Sequence, residues 1–205
     1  MKTLTLVATA SIMLVTGGAL AKENKQFQEQ ITVDTNSTIK LEVGVGEFEL
    51  STHDGQFVNY TINVEEADSK WFGHVDWDDI KVQQKLINNT LHLEVDGDDI
   101  KQTWHISVPR DANIELDMGV GEAHLTGVEA DVEAELGVGE LHIETANSDY
   151  RKINLESGVG EARLSGFKGQ QSSRSFVSEE INWHGEGKYS IEAEVGVGEV
   201  SVTQQ

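Results

Sequence analysis

The chain has no cysteine in its 205 residues. That absence excludes a disulfide framework, a thiolate metal site and a lipid-anchoring cysteine behind a leader. There is a single proline, Pro109. Basic residues are also scarce: 15 Lys and Arg stand against 36 Asp and Glu, for a formal net charge of −21. A surface this acidic repels nucleic acid and anionic membranes, whose phosphates are held by Lys and Arg. It keeps a β-rich chain soluble and attracts cations or basic proteins. No stretch beyond residue 22 sustains a 3.6-residue apolar period, so long helices are not expected.

Only one long apolar run occurs, Leu4 to Leu20, after Met1-Lys2 and before Ala19-Leu20-Ala21 and charged Lys22-Glu23. It is too short and wrongly flanked for a membrane span and reads as a secretory signal peptide, residues 1–21. The mature chain is then exported, to the periplasm or the cell surface, without membrane insertion. Residues 22–30 are polar and read as a flexible lead-in.

What is abundant is glycine, 20 residues of it. Much of it falls in one idiom, Val-Gly-Val-Gly-Glu or a near copy, at Val43–Glu47, Met118–Glu122, Leu136–Glu140, Ser157–Glu161 and Val195–Glu199. An alternating apolar pattern precedes each copy: Ile39, Leu41, Val43 and Val45, for example, or Ile114, Leu116, Met118 and Val120. Another follows, shifted by one position, as in Phe48 and Leu50. Alternation marks a strand with one dry face, and a one-residue flip would turn that face outward in a flat strand. The flip therefore marks a corner, and Gly before the acid suits a backbone needing positive φ.

The five acids lie at positions 47, 122, 140, 161 and 199, at intervals near multiples of about 19 residues. A fixed period of that size predicts a β-solenoid in which each coil contacts its neighbours. Residues 31–205 then form one solenoid domain, with degenerate coils over 31–110 and regular ones over 111–203. Val82 to Ile87, Asn88-Asn89 and Leu91 to Val95 predict a strand pair joined by a turn. The aromatics Trp71, Phe72, Trp77, Trp104, Trp183 and Tyr189 fall in irregular units, where they either stack on sugars or grip a partner or, the favoured reading, fill or cap the ends of the coil core.

Two flanking motifs carry a resemblance. Ile106-Ser107-Val108-Pro109 leads into the stacked Gly-x-Gly-acid repeats. Trp183-x-Gly-x-Gly-x-Tyr189 leads into the last copy. Together with five repeats they resemble the bacterial secreted, adhesin-like family of β-strand repeats, a domain of unknown function with the toast-rack fold. The resemblance spans roughly residues 31–203. It implies an all-β, single-stranded, right-handed β-helix, and it brings no catalytic residues, because the family has no agreed activity.

Two outward columns hold the candidate site residues. The first is Glu47, Glu122, Glu140, Glu161 and Glu199. Equivalent residues in adjacent coils stand about 4.8 Å apart, so Glu122, Glu140 and Glu161 form either solvated corners or a divalent-cation ladder. The second is Glu49, His124, His142, Arg163 and Ser201, in which His124 and His142 with a carboxylate offer a zinc site. The plainer reading is repeat coincidence on a polar face. The acidic runs Asp76, Asp78, Asp79 and Asp96, Asp98, Asp99 lack EF-hand spacing and read as turns. No nucleophile elbow, zincin motif or phosphate loop occurs.

The expectation is a non-enzymatic envelope or surface protein, without a cofactor, that binds an unknown protein or cell-surface partner and is able to self-associate through its edges. A cation-binding periplasmic protein and a carbohydrate-active enzyme are the alternatives.

Overall fold

The computed structural model describes residues 24–67, 75–175 and 177–205. The expected signal peptide, Trp71, Phe72 and the residues between 68 and 74 lie outside the described residues. All regular structure described is β, in twelve strands joined in one sheet. The strands are β1 Asn24–Thr32, β2 Thr38–His53, β3 Phe57–Glu66, β4 Lys81–Ile87, β5 Thr90–Asp96, β6 Ile100–Pro109, β7 Asn113–Thr126, β8 Val132–Thr145, β9 Tyr150–Ser165, β10 Gln171–Arg174, β11 Glu179–His184 and β12 Tyr189–Gln204.

Five of them, β2, β7, β8, β9 and β12, carry the glycine idiom in mid-strand, and each bends there. They lie parallel in the order β2-β7-β8-β12-β9. All five idioms are in register: Glu47 pairs with Glu122, Glu122 with Glu140, Glu140 with Glu199 and Glu199 with Glu161. The bend divides the sheet into two leaves. The first leaf continues from β2 to the β5–β4 hairpin and from β9 to β11 and β10. The second continues from β2 to β6, β3 and β1. The leaves enclose one apolar cluster, and Tyr60 of β3 reaches across it to Gln84 of β4 at 3.5 Å.

The corner differs in one detail from the sequence expectation. Val43, Met118, Leu136 and Val195 are buried, but Val45, Val120, Val138, Val159 and Val197, read as part of the dry face, are 43–47% exposed. Two successive residues, such as Gly44 and Val45, point outward before Gly46 turns in. The parity flip therefore falls one step earlier than the glycine before the acid. The positive φ expected at that glycine is present, at +141° in Gly139. A Cβ there would stand 1.7 Å from the carbonyl oxygen of Gly121 on the next strand. Bending five strands in register brings their backbones too close for any side chain.

Stacking does not follow chain order. β9 follows β8 in sequence, yet β12 lies between them. The 38-residue interval from Glu161 to Glu199, which equals two periods, holds the antiparallel β10–β11 hairpin on the outside of β9. The interval from Glu47 to Glu122, equal to about four periods, holds β5 and β6, which pair parallel with the first and second halves of β2, and β4 and β3, which run antiparallel to them; β2 also stands directly beside β7. Over 31–110, β5 and β6 thus extend the parallel stack beyond β2, one in each leaf, and β4, β3 and β1 border it antiparallel. Residues 24–30, expected as a loose lead-in, are most of edge strand β1, paired with β3 over its whole length. Alternation there is weak because only Phe27 and Ile31 face the core as apolar residues.

The β4–β5 pair has the predicted turn, with Asn88 and Asn89 both at positive φ as a two-residue hairpin favours. Trp104 is fully buried and donates from Nε1 to Gln102 Oε1 at 2.8 Å, so it belongs to the core centre. Trp183 closes the β9 end, packed edge-on against Phe167 with ring centroids 5.0 Å apart.

Candidate functional site

The outward side of the second leaf carries three residue rows that run across the strands. Nearest the corner is the glutamate row. Next comes Gln28, Thr61, His105, Glu49, His124, His142, Ser201 and Arg163. The third is Gln30, Asn59, Ser107, Ser51, Thr126 and Glu144 with its continuation. Over β1, β3, β6, β2 and β7 the second and third rows line a shallow groove of about 800 Å³. Its character is amide, hydroxyl and imidazole. His105 Nδ1 lies 2.8 Å from Glu49 Oε2, both more than half exposed. On the inner face of the same strands Tyr60 donates to Glu29 at 3.0 Å, and burial, reinforced by Glu29, pushes the Tyr60 hydroxyl pKa well up.

The sequence candidates stand as follows. Glu122 and Glu140 are cross-strand neighbours, but Glu161 is separated from Glu140 by Glu199 of β12. Arg163 pairs with both Glu161 and Glu199, and Lys101 holds Glu47 at 2.6 Å. The Lys101 ammonium hydrogen-bonds Glu47 and lowers its pKa. His124 and His142 are adjacent, with ring centroids 4.8 Å apart. His142 Nδ1 lies 2.6 Å from Ser201 Oγ, and its Nε2 lies 3.3 Å from Glu140 Oε2.

A tighter group lies on the first leaf. Among the described residues, one set of three metal-competent side chains, Glu42, His92 and Glu94, brings its ligand atoms within 4.8 Å of one another. His92 Nε2 is enclosed and makes no hydrogen bond, yet it stands 3.0 Å from Glu42 Oε1. Lys40 Nζ is 3.7 Å from the same oxygen. Glu42 and Glu94 also begin a ladder with one carboxylate per strand: Glu94, Glu42, Asp117, Glu135, Glu194, Glu156 and Glu180 in register across seven strands. This ladder was open to sequence reading. An acid stands five positions before every corner glutamate, at 42, 117, 135, 156 and 194. His92 was not, because β5 joins β2 only through tertiary pairing.

A family model described as the N-terminal domain of toast_rack, DUF2154, matches residues 17–165. The chain belongs to this toast-rack family. The matched region ends with β9, so β12, which this toast-rack chain inserts between β8 and β9, lies beyond it. No curated protein matches the chain. Among solved structures it is similar to a protein of Clostridium sporogenes provisionally named for cell adhesion, with 15% identity, 88% of this chain and 100% of that one covered, and a TM-score of 0.48. It is also similar to proteins of Bacteroides fragilis and Parabacteroides merdae provisionally named adhesins. The first has 14% identity, 87% and 97% coverage and a TM-score of 0.30. The second has 10% identity, 88% and 96% coverage and a TM-score of 0.26. Identities and TM-scores this low transfer neither activity nor partner. No helix among the described residues is long and apolar enough to cross a membrane.

Proposed function

We propose that the chain is an exported, non-enzymatic, adhesin-like domain that binds a protein or cell-surface partner through the outer faces of its bent sheet. The observation that carries this reading is the groove of the second leaf. Rows of Gln, Thr, Asn, Ser and His lie in register across five strands over about 800 Å³. So extended and polar a surface holds an extended ligand by many weak contacts. The carboxylate that faces it, Glu49, is held by a neighbour, His105. Glycoside hydrolysis instead needs an acid and a base kept apart in pKa across a scissile bond. The signal peptide read from the sequence supports export. The 18-residue step from β7 to β8 is one solenoid coil, and we take its winding to be right-handed, as parallel connections are.

The experiment is site-specific photocrosslinking in cells. A crosslinking residue at Thr61 or Ser107 should trap an envelope or cell-surface component, while one at exposed Lys168 should not. Equal trapping at all three positions, or none at Thr61 and Ser107, would remove the groove as the binding surface.

A cation-binding reading is favoured by one specific observation, the convergence of Glu42, His92 and Glu94. One imidazole and two carboxylates suit zinc, with Lys40 as the countercharge that a cation would displace. Zinc titration of the mature protein should release heat and raise the melting temperature, and His92→Ala should abolish both. No heat up to about 1 mM zinc would end this reading.

A further inference from the structure

The corner valines have no role in the groove, the core or the Glu42–His92–Glu94 group. Val45, Val120, Val138, Val197 and Val159 stand one per strand on five neighbouring strands, each nearly half exposed. At the inter-strand spacing they form a straight apolar ridge about 19 Å long. An exposed apolar stripe held in register by the fold is a surface that needs a cover. Carboxylates run along both sides. Two residues beyond the ridge, about 7 Å along the strand, lies the corner glutamate row. Three residues before it, about 10 Å away, lies the seven-strand acid ladder.

The charge on the two sides decides what fits. The ends of the corner row are offset by Lys101 at Glu47 and by Arg163 at Glu161 and Glu199, and Glu140 has His142. On the other side, Lys40, His92 and Glu42 form the only ion-paired group of the ladder among the described residues. The middle of the ridge, Val120 and Val138, therefore lies between Glu122 and Glu140 on one side and Asp117 and Glu135 on the other. A second copy would set acid ladder against acid ladder between chains of net charge −21.

We propose that the valine ridge docks a basic amphipathic helix of a partner protein, its apolar stripe on the valines and its Lys and Arg rows on the two carboxylate ladders. The dimensions agree. A helix of about 13 residues spans about 19 Å, and its Lys and Arg side chains extend sideways from the ridge toward the two rows, about 17 Å apart along the strands. A helix whose apolar positions keep to a strict a/d seam has a stripe narrow enough to follow one row of valines. This inference rests on the reading of the chain as a binding domain and names a second surface and its partner chemistry.

The test is fluorescence anisotropy at about 150 mM salt, near the physiological screening length. The probe is a labelled 14-residue leucine–lysine peptide with one apolar helical face. The control is the leucine–glutamate peptide of the same pattern. The lysine peptide should bind and the glutamate peptide should not. The double variant Val120→Ser, Val138→Ser should bind at least tenfold more weakly with an unchanged melting curve, since both side chains are already outside the core. Asp117→Asn with Glu135→Gln should weaken binding and flatten its salt dependence. Equal binding by the valine variant would show attraction by charge alone and overturn the proposal. So would a wild-type dimer in sedimentation that the valine variant disperses, because the ridge would then be a self-interface. In the same cells, crosslinks from Thr61 that survive in the valine variant show that a failure belongs to the ridge and leaves the binding-domain reading intact.

Discussion

At the scale of single residues, the corner glycines hold the fold to its shape. Gly139 combines φ of +141° with a neighbouring carbonyl that would stand 1.7 Å from any Cβ. Gly139→Val should therefore destabilise by about 3 kcal/mol or more, from backbone strain and forced separation of strands. Val138→Ser, next to it but outside, should stay within about 0.5 kcal/mol. Urea unfolding of the two variants checks both. Tyr150 sets a second test. Burial pushes its hydroxyl up to about 12, partly offset by its hydrogen bond with Thr145 and reinforced by Glu129 and Asp131. The fold favours the neutral phenol, so this contribution is complete below pH 10 and is lost as pH rises toward 12. The unfolding midpoint should fall across that window. Tyr150→Phe should flatten part of the fall, the remainder coming from Tyr60 and Lys101, whose pKa values are also raised.

At the scale of elements, strand alternation and the Asn88-Asn89 turn were legible because both are local. The corner was legible as a parity flip, but its exact step was not. Alternation cannot tell whether the valine between the two glycines faces in or out. The site was partly legible. Acids and histidines recurring at fixed offsets showed that columns exist, and His124 and His142 do adjoin. Which column members touch depends on strand order, and so Glu199 intervenes before Glu161. The seven-strand acid ladder carries its own prediction. Like charges about 4.8 Å apart repel and are screened by salt. Raising sodium chloride from about 10 mM to 500 mM, which shortens the screening length several-fold, should raise the melting temperature. A fall would mean that the ion pairs at Glu47 and Arg163 outweigh the ladder.

At the scale of the whole molecule, β12 matters out of proportion to its position in the chain. A sequential solenoid would lose only an end coil if its last strand were removed. Here β12 hydrogen-bonds β8 on one side and β9 on the other, and it buries Ile191, Ala193, Val195, Val200 and Val202. Truncation before Tyr189 should therefore abolish cooperative unfolding, measured by circular dichroism against urea. A truncated chain that still melts cooperatively, with only a reduced m-value, would restore the sequential stack.

The sequence by itself determined the β class, the five glycine corners, the acidic exterior and the hairpin turns. Each of these follows from side-chain period, glycine's conformational range or charge, all of which act within a few residues. Only the tertiary structure decided that β12 enters between β8 and β9, that β4, β3 and β1 border the parallel stack antiparallel, that Glu42 and Glu94 meet His92, and that the valine between the two glycines of each idiom faces water. These depend on which distant strands pair, and pairing is set by how all twelve strands share one core, which no local pattern records.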